Sequence, residues 1–469
     1  MFVNLLNYLL IAIEVLVIFN LLIIVHELGH FLAAKWRGLV IEKFGIWFGR
    51  PLWKTKIGGI EYSLGCIPAG GFVALPQMAP MPEALEGQSE HTPAQLPQIS
   101  ALDKIIVAIA GPLFSLGLAF VFAAIVWIAG KPTTESETTT VIGYVEKDSP
   151  AQKAGLQPGD KILSVDGHPV KRFAGMVNSV AWRVVRSEGD TIDFEIERNG
   201  KVLHVACGWT KDKPKSRFSR ASLRAVHILP QDTLVIDNVV PDSPAAKAGL
   251  QHGDVITAMD GEKIYNSVAL VYRVRANPEK PVTLNVTRGT EQFVATMTPV
   301  LMDADGEKIP RIGIMWDLGK LEFTHPSPLQ QVADSITTVF NTFDALFSRK
   351  SDIKAQHLGG PVKIMETYTR IFDSDQGWRL ALWFSVVLNV NLALMNMLPI
   401  PVLDGGHILL AMIEAVRRKP ANVRVLEIVQ TACAVLIIGY ILYVSFFDVQ
   451  DLPWGIGRRS ETQQSTPAK

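Results

Sequence analysis

Five residues near the start of the chain, His26-Glu27-Leu28-Gly29-His30, bring together the side chains that a hydrolytic metal site needs. Histidines four apart share one helical face, so both imidazoles reach a single ion, while Glu27 is rotated aside to take a proton from water. The motif closes an apolar run that begins near Met1, and Glu14 is the one charged residue between positions 9 and 25. Ionisable groups at membrane depth are costly unless they serve a site, so the cluster marks function. The bland alternative is a helix-end cluster among lipid headgroups.

An open catalytic zinc takes three protein ligands and a water. The third candidate is Asp404, eight residues after Asn396 in the run N-M-L-P-I-P-V-L-D-G-G-H that ends at His407. Pro399, Pro401, Gly405 and Gly406 break the helix there, and irregular backbone at membrane depth is tolerated where it lines a cavity. Asp404 also suits the start of the next helix as a cap, a role compatible with ligation. His407 is the rival ligand, with a nearby polar role favoured for it.

These residues need a membrane scaffold. Of 469 residues, 48% are hydrophobic and 19% charged, too apolar for an ordinary soluble protein and too polar for an all-membrane one. Runs long enough to cross a bilayer cover residues 2–25, 105–130, 380–398 and 428–447. The first has no basic start and no small-residue cleavage site, so it reads as retained rather than as a signal peptide. Lys35, Arg37, Lys43, Arg50, Lys54 and Lys56 follow the first run; Arg417, Arg418, Lys419 and Arg424 separate the last two. Such loops stay cytoplasmic, which places the motif near the cytoplasmic face and the large middle region outside. A formal net charge of zero argues against a nucleic-acid partner. Cys66, Cys207 and Cys433 fall in different compartments under this topology, so no disulfide is expected. Residues 57–65 and 68–74 alternate like a glycine-rich hairpin, and the tail from 462 reads as disordered.

The outer region is duplicated. The 20 residues from Asp148 and from Asp242 are identical at 14 positions, through D-S-P-A, K-A-G-L-Q and a closing D-G pair. Each copy reads as a short Ser-Pro helix ended by Gly155 or Gly249, followed by strands. The pair resembles PDZ domains of the circularly permuted bacterial type. Such domains take a peptide or a C-terminus as an added strand, and the loop before each Ser-Pro helix, at 143–145 and 237–239, is the expected groove. Peptide binding and a steric role over the membrane site are both compatible with the pair.

The H-E-L-G-H motif, Ala110-Gly111-Pro112, the tandem repeat and N-x-x-P-x-P-x-L-D-G together resemble the site-2 protease family over nearly the whole chain. The resemblance implies a zinc enzyme of the bacterial inner membrane, with the PDZ domains in the periplasm. Its substrates would be single-span membrane proteins already trimmed by another protease. Such enzymes make the second cleavage of an anti-sigma factor, and signal-peptide remnants are further candidate substrates. Carried over, His26, His30 and Asp404 bind zinc, Glu27 is the catalytic base and Asn396 helps position substrate. The family's hairpin dips back toward its site, which puts Gly70, Gly71 and Phe72 forward as substrate-binding residues; an ordinary cytoplasmic hairpin competes. Ser115 stands where the family often has Asn, leaving that position without an assigned role. Gly111, Ser115 and Gly117 still allow close helix packing. Glu14 lies about 18 Å along the helix from His26 at ~1.5 Å per residue, and its role is open.

The expected fold is a polytopic α-helical membrane protein with about four transmembrane helices, a membrane-associated β-hairpin and two external α+β PDZ domains. The boundaries read as 1–36 (first span), 37–102 (cytoplasmic loop with hairpin), 103–130 (second span), 135–225 and 226–302 (PDZ domains). They continue as 326–370 (amphipathic membrane-surface segment), 378–416 (third span), 426–448 (fourth span) and 449–469 (polar tail). A non-enzymatic tandem-PDZ scaffold would leave the metal constellation idle, and an ion transporter would not need Glu27.

Overall fold

The computed structural model describes residues 2–78, 96–97, 99–213, 219–304, 307–317, 321–374, 376–419 and 421–452. They form two compact units. One comprises Met1–Lys131, Thr324–Thr342 and Ala355–Leu452; the other comprises Pro132–Phe323 and Phe343–Lys354. The polar tail falls outside the described residues from 453 onward.

Helix α1 (Phe2–Arg37) runs unbroken because it holds no proline and a single glycine, Gly29. Lys35 and Arg37 sit at the negative end of its dipole, and Gly38 leaves the helix at φ 76°. Strands β1 (Lys43–Ile57) and β2 (Ile60–Ala74) meet through Gly58 and Gly59, both at positive φ as a tight hairpin turn requires. The ladder then breaks near Trp47 (φ 67°) and Gly49 (φ 88°), and the hairpin rolls up. Lys43 consequently pairs with Ala74 on one side and Glu61 on the other. Helix α2 (Ala101–Ala129) opens on a capping box between Ser100 and Asp103 and carries Pro112.

The second unit contains the duplication. The first copy comprises β3 (Ile142–Val145), α3 (Pro150–Ala154), β4 (Lys161–Val165), β5 (His168–Pro169), α4 (Val180–Arg186), β6 (Ile192–Arg198), β7 (Lys201–Cys207) and β8 (Ile228–Pro230). The second comprises β9 (Ile236–Val239), α5 (Pro244–Lys247), β10 (Val255–Met259), β11 (Glu262–Lys263), α6 (Ser267–Ala276), β12 (Val282–Arg288), β13 (Glu291–Met297) and β14 (Ile314–Trp316). Strand order is the same in both sheets, β5-β4-β6-β7 and β11-β10-β12-β13. Ser149 and Ser243 cap the short helices, each with proline in the first turn.

Each copy closes on a strand from farther along the chain. β8 pairs with β3 and β14 with β9, and Val226 and Ile312 enter the respective cores. The expected domain ends at 225 and 302 therefore move to beyond 230 and 316. The groove expectation changes too. Besides β8, β3 is hydrogen-bonded through Ile142 to the backbone of Asp160 and Gly159; besides β14, β9 is bonded through Ile236 to Asp254 and Gly253. Neither strand has an open edge for a ligand, whereas β8 and β14 each pair on one side only.

Helices α7 (Pro328–Phe347) and α8 (Pro361–Phe372) occupy the stretch expected at the membrane surface; Leu329, Phe340 and Met365 are exposed, while other residues of the two helices pack inward in the first unit. Val332 joins Leu22, Phe122 and Val390, while Tyr368 is fully buried and hydrogen-bonds Ser385 at 2.8 Å. The third hydrophobic segment is two helices, α9 (Gly377–Asn396) and α10 (Asp404–Arg417), separated by the proline-bearing turn. Last comes α11 (Val423–Asp451), whose Val435, Leu436 and Leu442 are exposed. Four stretches, Leu9–Arg37, Ala101–Ala129, Gly377–Asn396 and Arg424–Asp451, are long and apolar enough to cross a membrane.

Candidate metal centre

The helical period puts His26 and His30 one turn apart on α1, and their Nε2 atoms face each other at 3.3 Å. Asp404, the first residue of α10, closes the triangle: Oδ2 is 3.2 Å from His26 Nε2 and Oδ1 is 3.3 Å from His30 Nε2. Both imidazoles are buried, at 6% and 9% exposure. Two glycines permit the approach of α10. A side chain at Gly405 would overlap the carbonyls of Met397 and Leu398, and one at Gly406 that of Ile400. No side chain caps α10, so the Asp404 carboxylate is directed to the imidazoles and not to its own helix end.

The outer nitrogens fix the state of the rings. His30 Nδ1 lies 2.8 Å from the Val107 carbonyl, which only accepts, so Nδ1 carries a proton and, in the neutral ring, Nε2 presents a lone pair. His26 Nδ1 stands 3.0 Å from Ser115 Oγ and takes the same tautomer when the hydroxyl accepts. Two lone pairs and a carboxylate then converge with no donor among them. Asp404 Oδ2 is accordingly buried without a hydrogen-bond donor, although a ring nitrogen is close. This is a poor arrangement for a dry protein and a good one for a cation. Zinc bonds of ~2.0–2.1 Å in a tetrahedron place ligand atoms about 3.3 Å apart, and the observed edges of 3.2 and 3.3 Å match. Among the described residues, these three are the one cluster of at least three His, Cys, Asp or Glu close enough to share an ion. His407, one turn along α10, is not part of it.

Glu27 points to the side. Its Cγ would lie 3.2 Å from a Cβ at Gly71 of β2. Asn396, the last residue of α9, brings Nδ2 to 3.3 Å from His26 Nε2. Gly71 therefore reaches the site. Phe72 stacks on Phe48 with centroids 5.9 Å apart, and Gly70 (φ 80°) packs on the same Phe48 ring, so neither is aimed at the donors. Nor does Gly117 pack as expected, since nothing lies within 4 Å of the space its side chain would fill.

Sequence reasoning missed several supports of the site. Val107 of α2 holds His30 through its carbonyl, and Ser115, expected to allow close helix packing, also contacts His26; Gly111 packs closely as expected, against the His30 ring where any side chain would collide. Asn20 of α1 is buried and accepts a hydrogen bond from Trp47 Nε1, which holds the rolled hairpin to the helix six residues before His26. The polar Asn20 within an apolar run was the available signal.

Two buried histidines and a glutamate on a helix of membrane-spanning length, met by an aspartate at the start of a later helix, are the arrangement of a membrane-embedded metallopeptidase. The model of peptidase family M50 matches residues 14–440, and the chain belongs to that family. It is a metalloprotease of the site-2 type. The chain is 30% identical to a Neisseria meningitidis protein named "Putative zinc metalloprotease NMA0084", over 88% of this chain and 93% of that one. It is 28% identical to the regulator of sigma-E protease RseP of Escherichia coli, over 92% and 97% respectively.

Proposed function

We propose that this chain is a zinc endopeptidase that cuts single-span membrane proteins within their membrane segments, with His26, His30 and Asp404 as the metal donors. The observation that carries this reading is the meeting of two imidazole nitrogens and a carboxylate, from residues 378 positions apart at the extremes, beside Glu27. When bound, zinc supplies Lewis acidity that polarises the scissile carbonyl and makes water nucleophilic at neutral pH. Glu27 takes a proton from the attacking water and delivers it to the leaving amine, so the cut releases one new carboxyl and one new amino terminus. Asn396 offers an amide N–H at the rim of the site to hold a substrate carbonyl.

A helical substrate hides its scissile carbonyl in an internal hydrogen bond, so it has to unwind locally. Gly71, lacking a side chain, lets β2 pass close to Glu27, so that an extended substrate segment paired with that strand would lie near the base. The name of the E. coli relative supports a regulatory substrate for this chain too, a membrane-tethered inhibitor of a sigma factor trimmed beforehand by another protease. Basic loops after α1 and α10 support a cytoplasmic placement for the metal end and a periplasmic one for the duplicated domains, in the inner membrane. Those domains are of PDZ type in this reading, and β8 and β14 are the edges that take a peptide.

The test is incubation of the detergent-purified chain with a truncated single-span protein. Wild type is expected to release a shortened product, and Glu27→Gln is expected to retain zinc and release none. Normal cleavage by Glu27→Gln would reject the assigned base.

A further inference from the structure

Helix α2 supplies no donor, yet it touches the support of every one. On its inner face, Val107 and Ser115 are eight residues apart, about 12 Å at ~1.5 Å per residue, whereas His26 and His30 span half that rise. The two contacts therefore bracket the imidazoles from outside, Val107 O on His30 Nδ1 and Ser115 Oγ on His26 Nδ1. With each outer nitrogen held, both Nε2 atoms are turned toward each other. The helices are close enough for this because Gly29 packs on the Ala110 carbonyl and Gly111 on the His30 ring. Ser115 is fully buried.

The first turn of α2 reaches the third donor. Lys104 Nζ is 2.8 Å from Glu414 Oε2 on α10, ten residues beyond Asp404, and both side chains are mostly buried. Glu414 Oε1 in turn accepts from Ala421 N at 3.0 Å, so the carboxylate is held from two directions. Asp103, next to Lys104, accepts from Arg37 at the end of α1, with Nε to Oδ1 at 2.6 Å. Two adjacent residues of opposite charge thus tie the helix with two imidazoles and the helix with the carboxylate to one end of α2.

We propose that α2 sets the point at which the three donors meet, with Ser115 the positioning residue for His26 and the Lys104–Glu414 ion pair the positioning contact for Asp404. This rests on the zinc reading above. Outer-shell partners of metal-binding histidines fix ring tautomer and orientation, and their loss weakens metal binding by about 10- to 100-fold.

The experiment uses the full chain in detergent. Zinc affinity is read by competition with a chromogenic chelator, and donor geometry by the visible spectrum of the cobalt-substituted protein. Ser115→Ala is expected to weaken zinc about 10- to 100-fold and to shift the cobalt bands. Lys104→Glu is expected to weaken zinc as well, and adding Glu414→Lys to it is expected to restore affinity by reversing the pair. The inference is overturned if Ser115→Ala and Lys104→Glu both bind zinc within twofold of wild type with unchanged cobalt spectra. Weakening without recovery in the reversed pair removes the Lys104–Glu414 part. Should Lys104→Glu fail to fold, Ser115→Ala and the reversed pair decide. Wild type without zinc, or His26→Ala binding as tightly as wild type, overturns the zinc reading itself and is a distinguishable result.

Discussion

Two kinds of buried carboxylate occur in this molecule, and they are satisfied in opposite ways. In the duplicated domains, Asp160 and Asp254 are 1% and 0% exposed, and each is gripped by an arginine of its own sheet. Arg198 meets both oxygens of Asp160 at 2.6 Å and the Gly155 carbonyl at 2.8 Å; Arg288 repeats the arrangement with Asp254 and Gly249. Asp404 has no such partner. It faces the near nitrogens of two imidazoles, and one of its oxygens receives no hydrogen bond. A charge neutralised by its own fold is structural, and a carboxylate left without a donor fits the proposed metal site.

Breaking the functional side of this comparison should have the largest effect. Glu27→Gln removes the proton carrier and should slow cleavage of a membrane substrate by at least about 10²- to 10⁴-fold, with one zinc per chain retained by metal analysis. Breaking the structural side should spare the metal. Asp160→Ala removes the carboxylate that joins Arg198 to the Gln157 amide and should destabilise the domain, read by hydrogen exchange of the β4 and β6 amides, while zinc content is unchanged. Asp254→Ala should do the same to β10 and β12. Equal loss of zinc in these variants would erase the distinction between the two kinds of acid.

Smaller effects concern pH. Burial pushes Asp254 up, but the Arg288 and Gln251 hydrogen bonds overcome it and hold the carboxyl below its usual range. Its contribution to stability is present above the unfolded pKa and is lost as pH falls below about 4. Asp232 behaves oppositely. Burial first, then the charges of Glu135 and Asp317, raise it to about 6. The folded form there holds its proton more tightly than the unfolded chain, so stability falls as pH rises from about 4 to 6 and is flat above. Asp232→Asn should abolish that slope and stabilise the second unit at neutral pH, measured by denaturant midpoint against pH. An unchanged slope would assign it to other groups.

The three residues proposed as donors, which the structure brings together, were legible in the sequence because their chemistry is written in short-range signals. Helical spacing pairs His26 with His30, and prolines followed by glycines announce a break that frees Asp404. What stayed hidden depends on which residues meet across elements. Nothing in the local pattern says that Ser115 crosses α1 at His26, or that Lys104 reaches Glu414 more than 300 residues away. The domain ends were misjudged for a similar reason, since β8 and β14 lie outside the stretch of repeat identity. Amphipathicity located α7 and α8, but an apolar face does not state whether lipid or protein covers it. Here Val332 and Tyr368 are buried in the bundle. The rolled hairpin depends on Trp47 taking a left-handed backbone conformation, for which tryptophan carries no sequence signal.

The central claim is that one cation is held by side chains from both ends of the chain. Zinc-edge X-ray absorption on the purified full chain tests it most directly, comparing wild type with Asp404→Asn. Wild type should show a shell of nitrogen and oxygen only, with two imidazoles, and Asp404→Asn should lose or redistribute that shell. A sulfur-containing shell, or one that Asp404→Asn leaves untouched, would contradict the account.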